Sequence, residues 1–212
     1  LRRSGNSLIN VLWNESNTIS LNQLVNSLDE KLSRNDKLVN EIKIFLIDRL
    51  YNFLIKQGFR SDKLSSIISQ DNIGQKTFLE IKSELKALDK ILNNKSGIKF
   101  ISNFKRIYNI TKKSEMLTHS IKIKKEMFVF NEETKLYNFL IKLSKYNKIS
   151  SELSYNKKQL DLLNEFNYLI ENFFDNVLVN DKNIQIRNNR IKLLESIRIN
   201  FEMICKFQLI KT

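Results

Sequence analysis

The stretch ENFFDNVLVNDKNIQIRNNRIKLLESI, residues 171–197, decides the fold. It opens with an aromatic pair and an acid, Phe173, Phe174 and Asp175, followed by a short β-branched run and a polar turn at 180–183. A helix then begins. Arg187 and Arg190 stand three residues apart, so both can lie on one face. Ile184, Ile191, Leu194, Ile197, Phe201 and Ile204 line an adjacent apolar stripe. One helix therefore offers a side that packs and a cationic side near its start. The same period of three and four runs through the rest of the chain and predicts an all-α protein.

Working outward, the clearest helix is 36–57, where Leu38, Ile42, Phe45, Leu46, Leu50, Phe53 and Leu54 recur at helical steps. Asp36 stands where an N-cap would be, and Gly58 where a C′ glycine would. Shorter helices are expected at 3–14, at 20–33 with Ser20 as its cap, and at 61–69. Another follows at 76–93. The Asn/Ser/Gly stretch 93–97 breaks the pattern and predicts a junction. The expected parts are a helical body segment, 1–96, and a second helical domain, 97–212. The second contains helices at 98–113, 131–147, 155–172 and 183–208. Residues 114–130 read either as a strand or as an irregular connection.

Composition narrows the function. The chain has 212 residues, 42% of them hydrophobic, enough for a core. Its net charge is +13, which suits a polyanionic partner such as nucleic acid. Residues 1–96 hold 15 Lys/Arg against 11 Asp/Glu, and 97–212 hold 21 against 12, so the later half is the better candidate for such a surface. Abundant Lys, Asn and Ile with no Pro also fit an AT-rich codon supply, which accounts for part of the lysine excess. The single cysteine, Cys205, excludes an internal disulfide and reads as an inert buried thiol. With one histidine, His119, no Cys/His zinc cluster can form within the chain. There is no GxxxxGK[ST] loop, no GxGxxG turn and only four glycines, so a cradle for ATP phosphates is not expected. No nucleophile–base pair or metal-ligand spacing stands out, and no catalytic residue is expected. No apolar run is long enough to cross a membrane. The chain begins on a helical pattern with Leu1, without a signal-peptide core, and reads as the C-terminal piece of a longer protein.

A second basic segment is SNFKRIYNITKK, residues 102–113. Lys105, Asn109, Lys112 and Lys113 share a helix face, with Arg106 and Tyr108 beside it. Cations there would hold phosphates, and the Asn109 amide can read a base edge. A solvated basic face is the other reading, and spacing alone leaves both open.

Several motifs occur in a common order. The chain opens with Leu1, Arg2 and Arg3, and carries Phe45, Leu46, Asp48, Arg49 and Leu50 on the long helix. Lys105, Arg106, Asn109 and Ile110 form a KR-x-x-NI group. Phe173, Phe174, Asp175, Val177 and Val179 give FFD-x-V-x-V, and Arg187, Asn189, Arg190, Ile191, Leu193 and Leu194 an R-x-NR-I-x-LL group. This ordered set resembles the C-terminal region of the β subunit of bacterial tetrameric glycyl-tRNA synthetase. The resemblance implies a helical body followed by a DALR-like helical bundle that binds the anticodon of tRNA(Gly). It implies tRNA contacts from Lys105, Arg106, Asn109, Lys112, Lys113, Arg187, Asn189 and Arg190. It further implies a cytoplasmic α2β2 enzyme with no membrane partner, whose α subunit uses ATP and Mg²⁺ to attach glycine. No cofactor is then expected in this chain.

Overall fold

The computed structural model describes residues 2–15, 18–29, 36–112, 122–149 and 156–211. Lys113, His119, Leu1 and the expected end of the second helix lie outside them. The helices are α1 (Arg2–Asn14), α2 (Leu21–Asp29), α3 (Asp36–Lys56), α4 (Ser61–Ile68), α5 (Phe78–Leu92), α6 (Lys95–Thr111), α7 (Asn131–Ile149), α8 (Lys157–Asn176) and α9 (Ile184–Glu202). The only pairing of extended backbone among the described residues is one isolated bridge between Ser20 and Thr77. The all-α expectation holds. Of the ambiguous stretch, residues 122–130 form an irregular connection with one 3₁₀ turn, Lys125–Met127.

The chain divides into two compact units, residues 1–88 and 89–210, with the division inside α5 and ahead of the 93–97 stretch. In the first unit α1 and α2 pack on α3, and α3 on α4. Leu46, Leu50 and Leu54 form the buried line of α3, while Leu38 is exposed. Gly58 has φ +89°, and the Gly58 N–H to Ile55 O and Phe59 N–H to Leu54 O bonds close α3 in a Schellman turn. Trp13 packs edge-on against Phe53 and Phe59. Ser20 caps α2 reciprocally with Gln23, and Thr77 does the same for α5 with Glu80. A buried Lys76–Glu84 pair, 2.6 Å apart, is closed by Gln70.

The second unit is a four-helix bundle in which α6 and α7 each pack on both α8 and α9. Contacts at successive levels give the directions. Asn103 meets Asn167 and Arg106 meets Phe174, so α6 and α8 run parallel. Phe104 meets Phe201 and Tyr108 meets Arg198, so α9 runs against α6. Glu133 meets Arg190 and Asn147 meets Asn200, so α7 runs with α9. The ends of α6 and α8 and the starts of α7 and α9 therefore share one end of the bundle. The core is aromatic: Phe100, Phe104, Phe139, Phe166, Phe201 and Phe207 are buried in contact.

Several helix boundaries differ from the sequence reading: α6 starts at Lys95, inside the expected 93–97 break, and the helices expected at 155–172 and 183–208 end elsewhere. The expected helix 155–172 continues to Asn176, so Phe173, Phe174 and Asp175 are its last turn. Phe173 repeats the 166–170 core line and is buried, which carries the helix past the polar residues 171 and 172. The last helix stops at Glu202 instead of 208, because Phe207 turns back into the Phe100/Phe104 cluster. Cys205 lies beyond that helix and is buried. Ile184, expected on the apolar stripe, is exposed.

Candidate nucleic-acid interface

The end of the bundle where α6 stops and α9 starts gathers most of the sequence-predicted residues. On α6, Arg106, Asn109 and Lys112 are exposed and Lys105 is half-buried. Asn94 starts this helix by accepting the Ser96 N–H, and Gly97 lets it turn tightly from α5, since a Cβ there would stand 2.0 Å from the Ile91 carbonyl oxygen. Phe100, Phe104 and Ile107 bury one side, which forces the Lys105–Asn109–Lys112 line outward. The Arg106 guanidinium lies over the Phe174 ring, 3.8 Å from its centroid. The stack holds a planar cation flat at the surface, a form suited to a phosphate or an unpaired base. Beside it is a groove of about 430 Å³ lined by Arg106, Ile110, Phe174, Asp175, Asn176 and Asn180. Phe174 thus has a place in this surface, whereas Phe173 is core. The period separates them, because only Phe173 continues the Phe166–Ile170 line.

Arg187 occupies the first turn of α9, capped by Asn183, whose side chain accepts from the Gln185 and Ile186 N–H groups. It shares a face with Arg198, which meets Tyr108 of α6. Eleven residues of rise put Arg187 about 16 Å above that level, past the end of α6. It is half-buried, and no carboxylate among the described residues engages it. Asp175, in the last turn of α8, is exposed and makes no ion pair with it.

Arg190 and Asn189 depart from the expectation of a cationic, solvent-facing side. Arg190 is 1% exposed. Its Nε donates to Glu133 Oε1 at 3.0 Å, and its Nη1 to the Leu178 carbonyl at 2.9 Å and Asp181 Oδ2 at 2.8 Å. Glu133 also accepts the Val129 and Phe130 N–H groups, so one buried carboxylate serves the start of α7 and the arginine of α9. Asn189, 2% exposed, accepts from the Lys124 N–H at 2.8 Å and donates to the Lys124 carbonyl at 2.9 Å. These neighbours are positioning residues: Arg190 ties down the α8–α9 loop and Asn189 the connection into α7. Arg190 is in register with Leu194, Ile197 and Phe201, which is the signal in the sequence for its burial. The Asp181 carboxyl is held below its ordinary pKa, first by the Asn183 N–H, which outweighs the opposing cost of burial, and further by Arg190.

No group of three or more His, Cys, Asp or Glu that could hold a metal ion occurs among the described residues. No described helix is long and apolar enough to cross a membrane.

The DALR anticodon binding domain model matches residues 101–208, from within α6 to the chain's last turn. The chain is 31% identical to the glycine–tRNA ligase beta subunit of Thermodesulfovibrio yellowstonii over 92% of its own length and 28% of that protein. It is 30% identical to that of Halothermothrix orenii over 93% of its own length and 28% of the relative. It is 32% identical to that of Buchnera aphidicola over 77% and 23%. The chain thus spans less than a third of the length of these relatives. It belongs to the DALR anticodon-binding domain family and is a relative of glycine–tRNA ligase beta subunits.

Proposed function

We propose that this chain is the part of a glycyl-tRNA synthetase β subunit that binds tRNA(Gly) and reads its anticodon. The observation that carries the reading is the coincidence of two features. The anticodon-binding family match covers 101–208, and within it Lys105, Arg106, Asn109, Lys112 and Arg187 share one end of a bundle. In this reading Asn109 contacts a base edge, since an amide offers donor and acceptor together. Arg106 or Arg187 stacks on a splayed base or forks a phosphate, and Lys105 and Lys112 attract phosphate. Lys113 belongs to the same proposed set by its sequence position. The α subunit, with ATP and Mg²⁺, attaches glycine in a cytoplasmic α2β2 assembly, and the helical body, 1–96, precedes the anticodon-binding domain, 97–212. The test is filter binding of the full-length β subunit to tRNA(Gly) and to the same tRNA with an exchanged anticodon. Tighter binding of the first is expected. Equal binding of both overturns the reading and favours a basic helical scaffold.

A further inference from the structure

A second cationic surface runs along α7, away from the end just described. The groove between α7 and α9, about 580 Å³, is lined by Lys122, Tyr137, Ile141, Lys145, Lys148 and Lys192. On the other flank of α7 a groove of about 490 Å³ is lined by Lys142, Lys145, Tyr146, Lys157, Lys158 and Asp161. Lys142, Lys145 and Lys148 step by three residues, so each is turned about 60° from the last and raised about 4.5 Å. The row therefore crosses the exposed face of α7 from one groove to the other. Lys142 pairs with Glu165 and Lys192 with Glu195. Lys122, Lys145, Lys148 and Lys157 are engaged by no carboxylate among the described residues.

We infer that this lysine row binds the sugar-phosphate backbone of the stem that carries the anticodon loop, without reading sequence. The inference rests on the proposed function and extends it to a second surface. Three features select a backbone over bases or a folded partner. All the free cations here are lysines, point charges that attract phosphate without the planar fork that reads base edges. Tyr146 is buried and Tyr137 half-buried, so among the described residues neither groove is lined by a fully exposed ring on which a base could stack. Finally, α7 starts at the end that holds Arg187 and runs about 28 Å toward the other. A stem leaving a loop bound at that end can follow it.

The test uses the full-length β subunit and a tRNA(Gly) transcript over a salt series. Lys145→Gln/Lys148→Gln removes two exposed charges from the row. Lys37→Gln/Lys56→Gln removes two exposed charges from α3 and controls for net charge. The row variant is expected to lower the slope of log K against log salt by about 1.5–2, the loss of two phosphate contacts. Its affinity should fall by the same factor for cognate and anticodon-exchanged tRNA, leaving their ratio unchanged, while the control keeps the wild-type slope. An unchanged slope in the row variant, or an equal drop in both variants, overturns the inference. So does loss of α-subunit association with an unchanged RNA slope, which would assign the row to a protein partner. If wild-type protein fails to discriminate anticodons, the proposed function fails; an unaltered slope with discrimination intact sinks the stem contact alone.

Discussion

Arg187 and Arg190 lie one turn apart on α9, and their surroundings assign them different work. Arg190 is enclosed by Glu133, Asp181 and the Leu178 carbonyl, and truncating it strands the buried Glu133 charge. Arg190→Met is expected to destabilise the protein by about 3–5 kcal/mol, the usual cost of breaking a buried pair from one side. The denaturant midpoint checks this, and a loss under about 1 kcal/mol contradicts the burial described. Lysine at 190 should not rescue, because one ammonium nitrogen cannot stand at both places from which the guanidinium Nε and Nη1 reach their acceptors. Arg187→Ala should leave stability within about 0.5 kcal/mol, as surface substitutions do. It should cost about 1–3 kcal/mol of tRNA(Gly) binding if the contact is specific. Unchanged affinity in a folded Arg187→Ala protein removes that residue from the proposed site. Asp181 links the same network to pH. Its carboxyl titrates below the ordinary value of about 3.9, so its stabilising contribution is complete above that pH and is lost as pH falls through the lower folded value. Asp181→Asn should therefore be less stable than wild type at neutral pH, with the difference shrinking below about pH 4. A difference that grows on acidification would contradict the assigned direction.

Helices show where the sequence was readable. The α3 helix was legible because its apolar steps, its acidic first turn and the Gly58 stop are all local signals, and the Schellman turn realises them. The solvent-facing line of α6 was legible for the same reason. Arg190 was harder to read: charge argues for the surface, whereas its register argues for the core. The carboxylates that make burial tolerable lie 9 and 57 residues away. The ends of α8 and α9 were also set by distant partners. Phe173 holds one helix on past a polar pair, and Phe207 folds back on α6 to end the other. The α5–α6 joint is a further element set by contact. A methyl at Gly97 would stand 2.0 Å from the Ile91 oxygen and 2.7 Å from its Cγ2. Helix propensity alone would make Gly97→Ala stabilising by about 0.5–1 kcal/mol. The clash reverses that sign, and a loss of about 1–3 kcal/mol is expected. A raised melting temperature in Gly97→Ala would show that the joint can open without penalty.

At the scale of the whole molecule, net charge is an imperfect guide because cations are divided among several tasks. Arg190 and Lys76 are internal struts, Lys142 and Lys192 are matched by glutamates, and Lys122, Lys145, Lys148 and Lys157 stand on the bundle with no carboxylate among the described residues engaging them. Binding should accordingly weaken steeply with salt, while anticodon preference, carried by few contacts, should change little. The two adjacent side chains Asn189 and Arg190 give the end proposed to face RNA a mechanical character. One grips the connection entering α7 and the other the loop entering α9, and both are rooted in a single rigid turn. Those two approaches cannot shift separately without breaking buried hydrogen bonds. The anticodon loop would therefore meet a surface already assembled, and the entropy of ordering these segments is spent during folding and not at each encounter.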